Sequence, residues 1–247
     1  MDEKLLKIGE AAALLGVSVP TLRVWTDAGK ARAGFVTPGG HRFYRKHDLE
    51  RMMKPLLTQA QMWASDPKET TVPSEYHCQD VSVFRARWSK FEAELMSLSD
   101  LTDSLPLIAA SVGEIGNNSF DHNVGNWPDA RGIFFAHDMQ KRYVVIADRG
   151  QGVLSTLVRV KPSLATDAAA LQTAFTEVIS GRAPEARGNG LKFVRKVVRR
   201  FGLPFMFQSG EAVFRYDAGA GDLILETAAT PIRGILMSLS FPSRQTI

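Results

Sequence analysis

Between Ala64 and Cys78 the chain reads ASDPKETTVPSEYHC, a polar stretch with two prolines and neither helical nor strand periodicity. Such a segment offers no face to a hydrophobic core, so the sequence on either side of it is expected to fold as a separate unit. The predicted division is a small domain over 1–57, a linker over 58–80 and a larger domain over 81–247. A chain of 247 residues is long for one compact domain and comfortable for two, since domains typically run to about 100–200 residues.

Charge divides the same way. Residues 1–54 hold ten Lys and Arg against six Asp and Glu, and that surplus equals the formal net charge of +4 for the whole chain. A basic head on a neutral body suits binding to a polyanion. No apolar run approaches the ~20 residues of a membrane span, and no signal-peptide pattern follows MDEKLLK, so no membrane association is expected. The single cysteine, Cys78, excludes an internal disulfide and argues against a metal cluster. A cytoplasmic location is the expectation.

In the head, Lys7 to Leu15 places Ile8, Ala11, Ala12 and Leu15 on one helix face, and Gly16 stops the helix. Ser18 is placed to cap a second helix to about Ala28, with Pro20 in its first turn, Leu22 and Trp25 inward, and Gly29 as the stop. ARAGFVTPGGHRFYR then reads as a hairpin around Pro38-Gly39-Gly40, and a third helix is predicted over roughly Lys46–Leu57. This is the order of a winged helix. Its second helix fits a major groove, with Thr21 and Arg23 outward, while His41, Arg42 and Arg45 on the hairpin are placed for phosphate or the minor groove. The segments IGEAAALLGVS, TLRVWTDAGK, TPGGHRFYR and HDLERM, in that order, closely resemble the MerR-like and excisionase-like helix-turn-helix family. The resemblance implies double-stranded DNA as partner, a role in transcription regulation and a homodimer.

The larger domain reads as α/β, with helices over 83–98, 105–122, 167–179 and 189–201 and strands over 131–136, 142–147 and 234–241. Three motifs stand out. Glu114, Asn118 and His122 lie four apart and share one helix face. A carboxylate and an amide one turn apart can position a water and hold Mg²⁺ beside a triphosphate, although alone the pattern reads as a polar stripe. Asp148-Arg-Gly150-Gln-Gly152 follows the apolar strand YVVIA. There an Asp can accept from an adenine amino group and glycines let backbone approach a ligand, while a simple turn explains the motif equally well. Gly188-Asn-Gly190-Leu191 opens the helix LKFVRKVVRRF, whose free N–H groups suit phosphate oxygens. The basic face of that helix (Lys192, Arg195, Lys196, Arg199, Arg200) reads as solvated.

In this order the motifs look like the N, G1 and G2 boxes of the GHKL ATPase family of gyrase, histidine kinases and MutL. The resemblance implies an α+β sandwich of the Bergerat ATP-binding type, with helices over one face of a mixed sheet, and ATP with Mg²⁺ as cofactors. It makes Glu114 the residue that orients the attacking water and Asn118 the Mg²⁺ ligand, places His122 beside the nucleotide, and lets Asp148 read adenine. Gly150, Gly152, Gly188, Gly190 and Leu191 would shape the pocket. Residues 153–187 would form a mobile ATP lid, with Arg182 or Arg187 meeting the phosphates. The closing strand begins Gly234-Ile235, where the family often has Gly-Thr. The expected function is a DNA-binding regulator switched by ATP binding or slow Mg²⁺-dependent hydrolysis. The alternatives left open are a protein serine kinase resembling the anti-sigma-factor kinases, acting on a protein partner, and a partner-binding module with a degenerate nucleotide site.

Overall fold

The structure is a computed structural model and describes residues 5–66, 68, 72–98, 103–177 and 189–241. The head comprises β1 (Leu5–Lys7), α1 (Ile8–Leu15), α2 (Val19–Asp27), β2 (Phe35–Val36), β3 (Arg42–Arg45) and α3 (Lys46–Met52). Its boundaries follow from local chemistry. Gly16, at φ +67°, gives its N–H to the carbonyls that end α1, a left-handed position that costs a glycine little. The Ser18 hydroxyl accepts from the N–H of Thr21 at 3.2 Å, which caps the start of α2. The three strands form an antiparallel sheet in the order β1-β3-β2. It closes over a small core of Leu6, Ala11, Ala12, Leu22, Tyr44 and Leu49.

The third helix is shorter than its sequence pattern suggests. It stops at Met52, and Pro55 begins a new helix, α4 (Leu56–Ser65), with its own backbone extended (φ −53°, ψ 146°). A proline disfavours helical geometry in the residue before it and breaks the ladder of N–H donors. The first part of the expected linker is therefore not a spacer. The N–H of Leu56 donates to the Tyr143 hydroxyl at 3.2 Å, and Trp63, 3% exposed, packs against Phe134.

The body continues with β4 (His77–Cys78), α5 (Val81–Met96), α6 (Ser104–Asn123), β5 (Ile133–Asp138), β6 (Tyr143–Asp148), α7 (Gly152–Leu157), α8 (Asp167–Thr176), α9 (Gly190–Phe201), β7 (Phe205–Tyr216) and β8 (Ile224–Ser240). The strands form one sheet in the order β4-β5-β6-β8-β7. The expected mixed sheet is corrected, because all four strand pairs are antiparallel. Short turns link β5 to β6 and β7 to β8, and a short turn can join only antiparallel neighbours.

Both faces of this sheet are covered, which also corrects the one-sided layer of helices. On β5, Ile133 and Phe135 enter the large core while Phe134 and Ala136 enter the core under α4. Val144 and Ile146 on β6 alternate with Val145 and Ala147 in the same way. The period of two along a strand explains the split, and burial on both faces explains why these strands read as unbroken apolar runs. On the large-core side, α5 packs along α6. The Phe84 ring lies over Gly116, and Trp88 gives its Nε1–H to the Ala109 carbonyl at 2.8 Å.

Most of the segment expected to be a mobile lid is also packed. Within it, α7, α8 and the connection between them bury Leu157, Leu164 and Ala170 in a small core of their own, and α8 buries Leu171 and Phe175 in the large core. Residues 178–188 lie outside the described residues. At Gly116 a Cβ would overlap the Phe84 ring, and overpacked core sites typically cost about 1–3 kcal/mol. Gly116→Ala is expected to lower the stability of the body by that amount in urea unfolding, whereas Gly125→Ala, at a position open to solvent but with φ +72°, should cost about 1 kcal/mol.

Candidate functional site

The three motifs of the body, spread over 77 positions from Glu114 to Gly190, converge on one cavity of about 320 Å³. That volume falls within the range of about 300–1,000 Å³ usual for small-molecule sites. Helix α6 supplies Glu114, Asn118 and His122 to its wall, and Asp148 and Gly152 come from the end of β6 and the start of α7. Gly190 and Leu191 come from the first turn of α9, and Phe207 and Ile235 lie on the sheet. Gly150 does not line the cavity; its N–H donates to Asp148 Oδ1 at 2.8 Å and fixes the carboxylate from behind. Arg182, Arg187 and Gly188 lie outside the described residues.

Glu114 lies against the start of α9 so closely that a Cβ on Gly190 would overlap its Oε1. Only glycine permits that approach. Asn118 donates Nδ2–H to Glu114 Oε1 at 3.1 Å, which holds the carboxylate in place. A carboxylate beside a helix N-terminus is electrostatically favourable, and the same N–H groups suit other anions. His122 is kept below its ordinary pKa by burial and by the charge of Arg159, with Glu114 opposing them. It is therefore neutral near pH 7 and serves as a polar wall rather than a cation.

Asp148 is 2% exposed. Burial pushes its carboxyl up to about 6, while the Ser119 hydroxyl and the N–H groups of Gly150 and Ile235 hold it down. A buried acceptor already served by protein donors, with its cavity side open, can take one more hydrogen bond from an amine-bearing ligand. Several of these supports were not apparent in the sequence. Ser119 and Asn123 sit on the buried side of α6, where they look like ordinary small core residues. Asn123 Oδ1 accepts from the N–H of Gln151 at 2.8 Å, which ties α6 to the turn after β6. The Ser209 hydroxyl accepts from the N–H of Val153 at 2.9 Å and donates to the Gly234 carbonyl at 3.1 Å, fixing α7 to the sheet. No sequence signal marks Ser209, because its partners lie 56 and 25 residues away. Ile235 contributes through its backbone, so the missing threonine hydroxyl leaves the hold on Asp148 intact.

The residues fit a magnesium–nucleotide complex in donor type. Among the described residues no group of three or more His, Cys, Asp or Glu gathers to hold a bare metal ion. Mg²⁺ bound with a polyphosphate needs only one or two protein oxygens, the rest coming from phosphate and water.

On the head, α2 exposes Arg23, Val24 and Asp27. The Thr21 hydroxyl is shared with Ser18 Oγ at 2.8 Å, so it serves the helix start. His41 is exposed at the hairpin tip, which its N–H closes onto Thr37 Oγ1 at 3.0 Å. Arg42 is engaged within the protein: it pairs with Asp27 at 2.6 Å and donates to the Arg23 carbonyl at 3.3 Å. It locks the hairpin to α2, and its pairing with Asp27 raises its pKa further. The Arg45 stem packs against Gly34.

Residues 5–55 match the family model described as a helix-turn-helix domain. The match supports a DNA-binding role for the head. No curated protein matches the chain. Among the described residues no helix is long and apolar enough to cross a membrane.

The raised pKa of Asp148 sets a pH dependence. Its folded-state value of about 6 lies above the ordinary 3.8, so its contribution is fully present below about pH 4 and is lost as pH rises through 6. A difference of that size between the folded and unfolded chain is worth roughly 3 kcal/mol. Wild type is expected to lose up to that amount relative to Asp148→Asn between pH 4 and 7, read as the difference between their urea-unfolding free energies. A flat difference across that range would remove the buried, protonatable carboxyl from the account.

Proposed function

We propose that this chain is a DNA-binding regulator whose C-terminal domain binds ATP with Mg²⁺ as a switch. One observation carries the reading: three motifs distant in sequence meet in one cavity, with a buried acceptor at one end and a helix N-terminus beside a carboxylate–amide pair at the other. This arrangement supports the resemblance of the motifs to GHKL ATPases. Asp148 would accept from the adenine amino group, and Asn118 would hold Mg²⁺ against the phosphates. That ion supplies charge neutralisation and polarisation of the phosphate oxygens. Glu114, held by Asn118, is placed to orient a water for slow hydrolysis. The head, read as MerR-like and dimeric, would present Arg23 to base edges or phosphate and His41 and Arg45 to the backbone.

A route for coupling supports the switch. Asp148 faces the cavity, and the next residue, Arg149, reaches the opposite side of the sheet. There its guanidinium pairs with Asp129 at 2.7 Å and lies 5.7 Å from the centre of the Trp63 ring on α4. Helix α4 follows α3 of the head after only Met53, Lys54 and Pro55. Ligand contacts at Asp148 would thus bias the seat of the helix that carries the DNA-binding head.

Two measurements test the reading. Thermal melting with Mg²⁺ and ATP, ADP or GTP is expected to raise the Tm of wild type with the adenine nucleotides, because a ligand of the folded state stabilises it; Asp148→Ala should remove the rise. No change in Tm with any nucleotide rejects the ATP site. In the second, Arg23→Ala is expected to weaken binding to a selected DNA site about 10-fold or more, and a non-hydrolysable ATP analogue should change wild-type DNA affinity several-fold. Unchanged affinity with saturating analogue rejects the coupling.

A further inference from the structure

The cavity has a charge balance that the three motifs do not resolve. Its wall carries the carboxyl groups of Glu114 and Asp148. His122, held neutral by burial, offsets neither of them. A polyphosphate entering such a cavity meets like charge, and Mg²⁺ neutralises only part of it. Among the described residues that line the cavity, a single Lys or Arg is present: Arg85.

Arg85 comes from α5, outside every motif that marks the site. Its place follows from how α5 packs along α6. The Phe84 ring lies over Gly116, and the Trp88 ring lies against Gly113. Arg85 and Asn117 are the next residues after Phe84 and Gly116, and both line the cavity. Arg85 is exposed and has no hydrogen-bond or ion-pair partner among the described residues. Asn117 presents the complementary deficit, because its Oδ1 is buried and accepts no hydrogen bond from the described residues. Buried acceptors are nearly always served, so an orphan in a cavity wall marks a place where a donor is expected to arrive. A guanidinium has five N–H donors in a planar fork and can serve an amide oxygen and an oxyanion at once.

We propose that Arg85 is a phosphate-contacting residue of this site, closing over the α6 wall so that its guanidinium donates both to phosphate oxygens and to Asn117 Oδ1. The assignment rests on the nucleotide reading above and adds to it a cation supplied from a neighbouring helix. Arg85 binds the polyphosphate and leaves the base to Asp148, so the two residues are separable by ligand.

The test is calorimetric titration of the full chain in Mg²⁺ with ATP, ADP and adenosine, the last taken to millimolar concentration. Wild type, Arg85→Ala, Arg85→Lys and Asp148→Asn are compared. Loss of one charge-assisted contact is expected to weaken ATP and ADP binding by Arg85→Ala on the order of 10-fold, with adenosine unchanged. Arg85→Lys should recover part of the loss, since it keeps the charge without the fork. Because Arg85 is exposed, its variants should keep the wild-type Tm without ligand. Wild-type ATP affinity in Arg85→Ala, or an equal loss for adenosine, overturns the assignment. If Asp148→Asn weakens all three ligands while Arg85→Ala changes none, the nucleotide reading stands and Arg85 has no part in it. Failure of wild type to bind any of the three overturns both.

Discussion

Two adjacent charged residues at the end of β6, Asp148 and Arg149, are both almost wholly removed from water. Burying a charge is costly unless protein groups replace its hydration, and strand alternation sends these two to opposite sides of the sheet. Much of the surrounding structure meets those two demands. On one side α6 supplies Ser119, the turn supplies the Gly150 N–H and β8 supplies the Ile235 N–H. On the other, Asp129 pairs with Arg149 and the Trp63 ring lies beside its guanidinium. The cavity and the seat of α4 are thus two answers to one local problem.

The local rules of the sequence carried far. The head follows its punctuation closely, because Gly16, Ser18 and the Pro38-Gly39-Gly40 turn act within a few residues of themselves. The helices and strands around the motifs also form near the positions their periodicity suggests. What escaped depends on distant partners. Strand β7 is interrupted by a register shift at Gly210, which breaks the alternation that marks a strand. Helix α4 looked like the edge of a linker because its buried face is defined only by β5 and β6, which come much later in the chain. Segments α7 and α8 looked like a lid because the family resemblance supplied that expectation, while their apolar residues needed β7 and the large core to show where they belong.

Legibility at the site divides in the same way. Glu114, Asn118, Asp148 and Gly190 could be named because spacing on a helix, or position at the end of a strand, gives each a physical role in isolation. Ser119, Asn123, Asn117 and Ser209 could not, since each acts through a hydrogen bond, made or missing, that only tertiary packing defines. On the head, the hairpin arginines suggested contacts to DNA, yet Arg42 is committed to Asp27. Charge composition locates a basic module but does not say which of its cations are already paired.

The short tie of Met53, Lys54 and Pro55 between α3 and α4 has a bearing on how the protein meets DNA. A long flexible tether would let the head explore a volume of its own and reach sites at many separations. Here the head is joined almost directly to a helix buried against the body, and Ser74 reaches back to the Gly29 carbonyl. The head is therefore tied to the body at two points. Were two copies to sit side by side on a duplex, the distance between their recognition helices would be a property of how the bodies fit together, so the spacing of half-sites would become a ruler for that fit.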